Sequence, residues 1–253
     1  MKRTILITGC SSGFGKVTAD YLKNKGYKVI ATTRKDLDVT WSEAKLKKVI
    51  NKLGKIDVLI NNAGYGQLGT IYDVTDKQVR DQFETNVFGL LKVTRAIVPL
   101  MRKQKAGLII NVSSVAGFIT NPHGGIYAAS KFAVEAITQS LRTEEWRNGI
   151  RTTSINPGPF DTKFWDRSKP DSVTQRLLEK AMSRREDPMI FARKIEEIIS
   201  SDYIYPRYMV GINAHVMRVL YRILPDWLLD ILMRLIFGRL SQAQPTPKPV
   251  LSI

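Results

Sequence analysis

With 253 residues, 43% of them hydrophobic, the chain has the size at which one substantial core is buried, and one α/β domain over 1–253 is expected. The single cysteine, Cys10, excludes an intrachain disulfide and suits a reducing, cytoplasmic setting, and Met1-Lys2-Arg3 leads into an apolar stretch too short for a secretory or membrane-spanning segment. A formal charge of +16 would suit nucleic acid, but the 39 Lys and Arg are scattered along helix faces without an RNA- or DNA-binding signature; no nucleic-acid partner is expected, and as a secondary effect the field would raise encounter rates with an anionic dinucleotide or an acidic membrane surface.

Apolar runs at 4–8, 28–33, 56–60, 108–112, 151–156 and 208–210 alternate with longer amphipathic segments, the pattern of a parallel sheet with helices on both faces. The first run ends in Thr8-Gly9-Cys10-Ser11-Ser12-Gly13-Phe14-Gly15, and a helix is expected over 16–24. Strand, glycine-rich turn and helix form a phosphate cradle, because glycines let the backbone approach the anion and the helix start offers free N–H groups. Cys10 occupies a variable slot of that turn and is read as packing rather than as a nucleophile.

After the second run stand Thr33, Arg34 and Lys35. An acid here would accept from a ribose 2′-hydroxyl and repel a 2′-phosphate, whereas arginine pairs with the phosphate, so Arg34 favours NADP(H) over NAD(H). Between Arg34 and Asp38 there is no room for a helical crossover, so a third strand at Asp38-Val39-Thr40 is expected to be shortened or missing. Thr40-Trp41-Ser42-Glu43 and Thr75-Asp76-Lys77-Gln78 read as capping boxes, Gly26, Gly54 and Gly149 as helix stops, and Asp187-Pro188 as a helix start.

Further landmarks follow: Asn61-Asn62-Ala63-Gly64 after the third run, Asn86 in a helix, Ser114 after the fourth run, Tyr127-Ala128-Ala129-Ser130-Lys131, and Pro157-Gly158 after the fifth. Tyr127 and Lys131, spaced i, i+4, share one helix face, where an ammonium could stabilise a phenolate of ordinary pKa about 10. Together with Gly9-x-x-x-Gly13-x-Gly15, these landmarks resemble the short-chain dehydrogenase/reductase family over residues 3 to about 215. The resemblance implies a doubly wound Rossmann-type sheet with a helical C-terminal extension, and an oxidoreductase acting on a ketone, an aldehyde or a secondary alcohol.

It also implies roles. Tyr127 would exchange the proton, Lys131 would support it and bond the nicotinamide ribose, Ser114, thirteen positions earlier, would hold the substrate oxygen, and Asn86 would hold a water linking Lys131 to solvent. Gly9, Ser11, Ser12, Gly13, Phe14 and Gly15 would surround the pyrophosphate, and Asp38 and Val39 the adenine. Asn62, Ala63 and Gly64 would flank the cofactor, and Pro157, Gly158, Phe160 and Thr162 would brace the nicotinamide. The rival reading, a non-catalytic dinucleotide sensor, is disfavoured because such proteins commonly lose the tyrosine.

Residues 160–187, polar and proline-containing after a strand end, are expected to form a substrate lid, and His123 to line the substrate pocket; His215 is expected to be structural, and no metal-ligand cluster exists. In 213–240 nearly continuous apolar sequence is broken by Arg218, Arg222, Asp226, Asp230 and Arg234, a polar stripe down a helix that Pro225 divides. Its apolar faces could line a substrate entrance, form the interface of a homodimer or homotetramer, lie on a membrane surface through 216–237, or pack as core. The substrate expected from these surroundings is a small apolar carbonyl or alcohol, steroid-, retinoid- or fatty-acyl-like. The proline-containing end, 241–253, is expected to be a mobile tail.

Overall fold

The computed structural model describes residues 3–160, 162, 164 and 186–241. Six parallel strands form one sheet: β1 Thr4–Ile7, β2 Lys28–Ala31, β3 Val58–Asn61, β4 Gly107–Val112, β5 Ile150–Pro157 and β6 Arg207–Val210, in the order β2-β1-β3-β4-β5-β6. Each lies within two residues of a run read from the sequence. Because successive strand residues face opposite ways, Ile5 and Ile7 join one core layer and Leu6 the other. Burial on both faces explains why the runs are continuously apolar rather than alternating.

On the first face α1, Gly13–Asn24, packs against α6, Pro188–Ser200, through Ala19, Leu22, Phe191 and Ile195. On the second, α2, Glu43–Asn51, and α4, Leu90–Gln104, contribute Leu46, Ile50, Val93 and Ile97. The long α5, Gly125–Glu144, lies against β5. Short α3, Asp76–Phe83, leads into a π-helical turn, Glu84–Gly89, which continues as α4.

The turn chemistry held with one exception. Thr75 and Gln78 form the expected capping box, with Gln78 Oε1 accepting from Thr75 N at 2.8 Å. Asp187 caps α6 ahead of Pro188, and Gly26, Gly54 and Gly149 all adopt positive φ. The box expected at Thr40 does not form: α2 is capped by Ser42, which accepts from Lys45 N, while Thr40 turns back to donate to Asp38 Oδ1 at 2.8 Å. Asp38 sits two positions before Thr40 and offers a closer acceptor for its hydroxyl.

Among the described residues no strand forms at Asp38-Val39-Thr40 and none lies beyond β2 in the sheet, so the strand expected there to be shortened or missing is missing. The chain turns instead at Thr33, whose N and Oγ1 both donate to Asp36, and then runs through buried Leu37 and Val39. Gly89 accommodates this path, since a Cβ there would lie 2.7 Å from Val39 Cγ2. Beta-strands β2 and β3 flank β1, so the chain reverses its winding direction at β1, and the crevice beyond the strand ends at that point is where such sheets take ligands.

After β6 come α7, Ile212–Ile223, and α8, Asp226–Ser241, parted at Pro225 as expected. Arg222, Asp226, Asp230 and Arg234 of the polar stripe are exposed as expected, but Arg218 departs from it and much of the apolar side is exposed as well. Arg218 turns inward over the Phe118 ring at 5.1 Å, while Ile223 and Trp227 are 73% and 65% exposed. Core packing therefore does not account for these faces. Most of the lid expected at 160–187, and 242–253, lie outside the described residues.

Candidate active site

A cleft of about 1120 Å³ opens at the C-terminal ends of the strands. Its floor is the turn after β1. Thr8 Oγ1 accepts from the backbone N–H groups of Asn62 and Ala63, each at 3.1 Å, and Asn62 Nδ2 returns a bond to Thr8 O at 2.9 Å. The Asn61–Gly64 segment thereby braces the glycine turn. A Cβ on Gly9, already at φ +74, would lie 2.7 Å from Ala63 Cα, and one on Gly15 would lie 2.5 Å from Asn62 Nδ2, so both positions need glycine for close approach.

At the start of α1, Ser12 makes no side-chain cap, leaving the helix N–H groups directed at the cleft lined by Ser11, Ser12, Gly13 and Phe14. Phe14 stacks on Phe191 at 4.1 Å and meets Phe160 edge-on at 5.2 Å, which ties the turn to the segment after β5. From that segment Pro157, Gly158, Phe160 and Thr162 line the same cleft, Thr162 lying over Gly13. Cys10 points away, its thiol donating to Ile7 O, and burial pushes it up to about 11. It is not a thiolate nucleophile at neutral pH.

At the other end the cleft reaches Arg34, Asp38 and Val39. Arg34 is exposed and has no ion-pair partner among the described residues, so its guanidinium is available to a ligand. Asp38 spends one carboxylate oxygen on Thr40.

At the inner wall the Tyr127 phenol lies within hydrogen-bonding reach of Ser114. Burial raises the phenol well above its ordinary pKa, and the Ser114 bond draws it back only in part. Lys131 is also buried; its ammonium donates to Val112 O at 2.8 Å and stands 5.8 Å from the Tyr127 ring centroid. Burial lowers it to about 8, against the pull of Glu135. Phe164 meets the Tyr127 ring edge-on at 5.5 Å. Ser113, beside Ser114, has a buried hydroxyl with no hydrogen-bond partner among the described residues.

Asn86 stands apart from the cleft lining, as does Gly15. Its side chain is occupied: Oδ1 accepts from Tyr65 N at 3.1 Å, and Nδ2 donates to Tyr65 O at 3.0 Å and to Ser130 Oγ at 3.1 Å. Ser130 in turn donates to Tyr127 O at 2.7 Å. The side chain thus fixes α5 beside Tyr127 and has no amide hydrogen left for a water. It sits in the π-helical turn, a distortion frequent at functional sites.

The cleft also gathers Leu37, Ile119 and Asn121, which the sequence reading missed, and Asn213, Met217 and Met233 from the 213–240 helices read as a possible substrate entrance. Asn213 and Met217 are i, i+4 on α7, so one helix face was the signal; for the loop residues no sequence signal exists. His123 lines the cleft as expected, with φ +64. His215 bonds Gly211 O at 2.9 Å, and among the described residues no cluster could hold a metal.

The family model described as short chain dehydrogenase matches residues 36–172. The 3-ketodihydrosphingosine reductase of Bacteroides thetaiotaomicron is 40% identical over 184 residues, 67% of this chain and 68% of that one. The uncharacterized oxidoreductase YbbO of Escherichia coli strain K12 is 32% identical over 92% of this chain and 95% of its own. A short-chain dehydrogenase from Streptomyces avermitilis superposes with a TM-score of 0.79 at 26% identity, covering 97% of this chain and 99% of that one. Other solved chains of this fold hold NADP, NADPH or NADH. The parallel sheet, the braced glycine turn and the Ser114, Tyr127 and Lys131 constellation thus coincide with a matching family model and matching relatives, and the chain belongs to the short-chain dehydrogenase/reductase family of oxidoreductases.

Proposed function

We propose that the chain is an NADP(H)-dependent reductase of an apolar ketone or aldehyde, running in reverse as a dehydrogenase of the corresponding alcohol. The observation that carries this reading is the Ser114 and Tyr127 pair of hydroxyls at the inner wall of the cleft, with buried Lys131 behind them.

The residues present fit a dinucleotide. Gly9 and Gly15 leave a cradle that a Cβ would obstruct, and the α1 start has N–H groups that Ser12 does not cap. Arg34 suits a 2′-phosphate in charge and geometry, which is why NADP(H) is favoured over NAD(H). Asn62, Ala63 and Gly64 would flank the bound molecule, and Pro157, Gly158, Phe160 and Thr162 would brace its reactive end. The nicotinamide, when bound, supplies or accepts the hydride.

Tyr127 holds its proton at neutral pH, the form that gives it to a carbonyl oxygen. Ser114 orients that oxygen and stabilises the charge it develops. Lys131, protonated below about pH 8, offsets the charge left on the phenol. Asn86 keeps α5 in place for both.

Ile119, Met217 and Met233 give the cleft an apolar share that supports a steroid-, retinoid- or fatty-acyl-like substrate. The relative from Bacteroides thetaiotaomicron is named for a ketone, 3-ketodihydrosphingosine. The exposed apolar side of α7 and α8 supports association, with a second copy or with a membrane surface. No helix among the described residues is long and apolar enough to cross a membrane.

The test is to measure NADPH and NADH binding by fluorescence and then follow NADPH oxidation across a panel of apolar carbonyls. Binding with no oxidation of any member would overturn the reading.

A further inference from the structure

Beneath the wall that carries Ser114 and Lys131 lies a charged group that the proposed chemistry leaves unused. Glu135 follows Lys131 by one turn of α5 and is only 5% exposed. Its Oε1 accepts from Asn156 Nδ2 at 2.7 Å, and its Oε2 accepts from Ser154 Oγ at 3.1 Å and from Arg207 Nε at 2.5 Å. Ser154 and Asn156 are two apart on β5 and so face the same side of the sheet.

Burying a carboxylate is costly unless it is paired and hydrogen-bonded, and here both oxygens are occupied. The network leads to the site along two routes. The Asn156 amide that donates to Glu135 also donates to Ser114 O at 3.1 Å. A Cβ on Gly117 would lie 2.9 Å from Glu135 Cγ, so the turn after Ser114 rests on this side chain. On its own helix Glu135 is the charge that acts on Lys131.

We propose that Glu135 is a positioning residue of this site, holding the Ser114 backbone through Asn156 and fixing the charge of Lys131 from the next helical turn. The proposal rests on the reading of Lys131 as the cationic partner of Tyr127. The groups around it are few. On α5 Lys131 is accompanied by Tyr127 and Glu135; β4 presents the neutral Val112 carbonyl; β5 presents Ser154 and Asn156; and β6 and α7 turn Arg207 and Arg218 toward Glu135.

Two opposed substitutions separate positioning from scaffolding. Glu135→Gln keeps the size and one accepting oxygen, enough for Asn156, but sets an NH2 donor in place of the oxygen that accepts from Arg207 and removes the negative charge, so the Lys131 titration moves to lower pH. Arg207→Met removes the cation that neutralises Glu135, so the titration moves to higher pH. Each shift is expected to be roughly half a pH unit or more. The measurement is an NMR titration of protein carrying ε-13C lysine, with the Lys131 resonance assigned by its loss in Lys131→Met.

Shifts of opposite sign support the proposal. Unmoved titrations in folded variants, or shifts of the same sign, overturn it. Should Glu135→Gln fail to fold, the Arg207→Met arm decides, an upward shift supporting the proposal and none overturning it. This readout needs no substrate, so its failure is distinct from failure of the proposed reaction, which turnover of the unaltered protein reports separately.

Discussion

Lys131 donates to the Val112 carbonyl at 2.8 Å, across from the end of β4, and only 5% of it is exposed. A buried ammonium lowered to about 8 from 10.5 has a cost that depends on pH. Below pH 8 both folded and unfolded chains carry the proton, and the folded state bears the full penalty. Between 8 and 10.5 the unfolded chain binds more protons than the folded one, so stability rises with pH across that window. Lys131→Met is therefore expected to be more stable than the parent at neutral pH by about 1 to 3 kcal/mol, reduced by the lost bond to Val112. The gap should narrow toward pH 10.5, as urea unfolding at several pH values would measure.

Tyr127→Phe removes the exchangeable proton and the bond to Ser114, while the ring keeps its contact with Phe164. Turnover should fall by about 100-fold or more. NADPH affinity, read by fluorescence, should stay within about threefold, because the phenol contributes less to binding than to proton transfer. Undiminished turnover would remove Tyr127 from the mechanism.

Arg34→Asp places an anion where a 2′-phosphate is proposed to sit. The ratio of NADPH to NADH affinity should fall by about tenfold or more, since a charge-assisted pair worth roughly 1.5 to 3 kcal/mol is replaced by repulsion. An unchanged ratio would reject the assignment.

Gly9→Ala must adopt φ +74 and push against Ala63 Cα. The strained backbone and the clash are expected to cost about 2 kcal/mol or more, seen as a lower melting temperature. Cofactor binding should weaken in parallel, because the same displacement moves the floor of the cleft.

Ile223 and Trp227 stand out from α7 and α8. The double variant Ile223→Asp, Trp227→Asp should leave melting temperature within a few degrees while abolishing self-association in light scattering or co-sedimentation with anionic vesicles. A parent that does neither would leave the exposed face without a partner.

Much of the site could be read from the sequence because its parts are local. A glycine turn follows its strand, Tyr127 and Lys131 share a helix face, and a gap too short for a crossover removes a strand. What escaped was set by distant contacts. Nothing near Thr40 says that its hydroxyl will turn back to Asp38 and leave the cap to Ser42. Asn86 was legible as a landmark, but its spending on Tyr65 and Ser130 depends on a loop 21 residues earlier and a helix 44 residues later. Arg218 belonged to an apparent solvent stripe, and only tertiary packing brought it over Phe118.

The missing strand beyond β2 has one more effect. With no strand beyond it among the described residues, β2 ends the sheet, and it does so over four residues beginning with Lys28. An edge so short and opened by a cation offers a foreign strand few backbone groups to join. The shortened path past the Arg34 end of the cleft therefore added little surface on which the chain could aggregate.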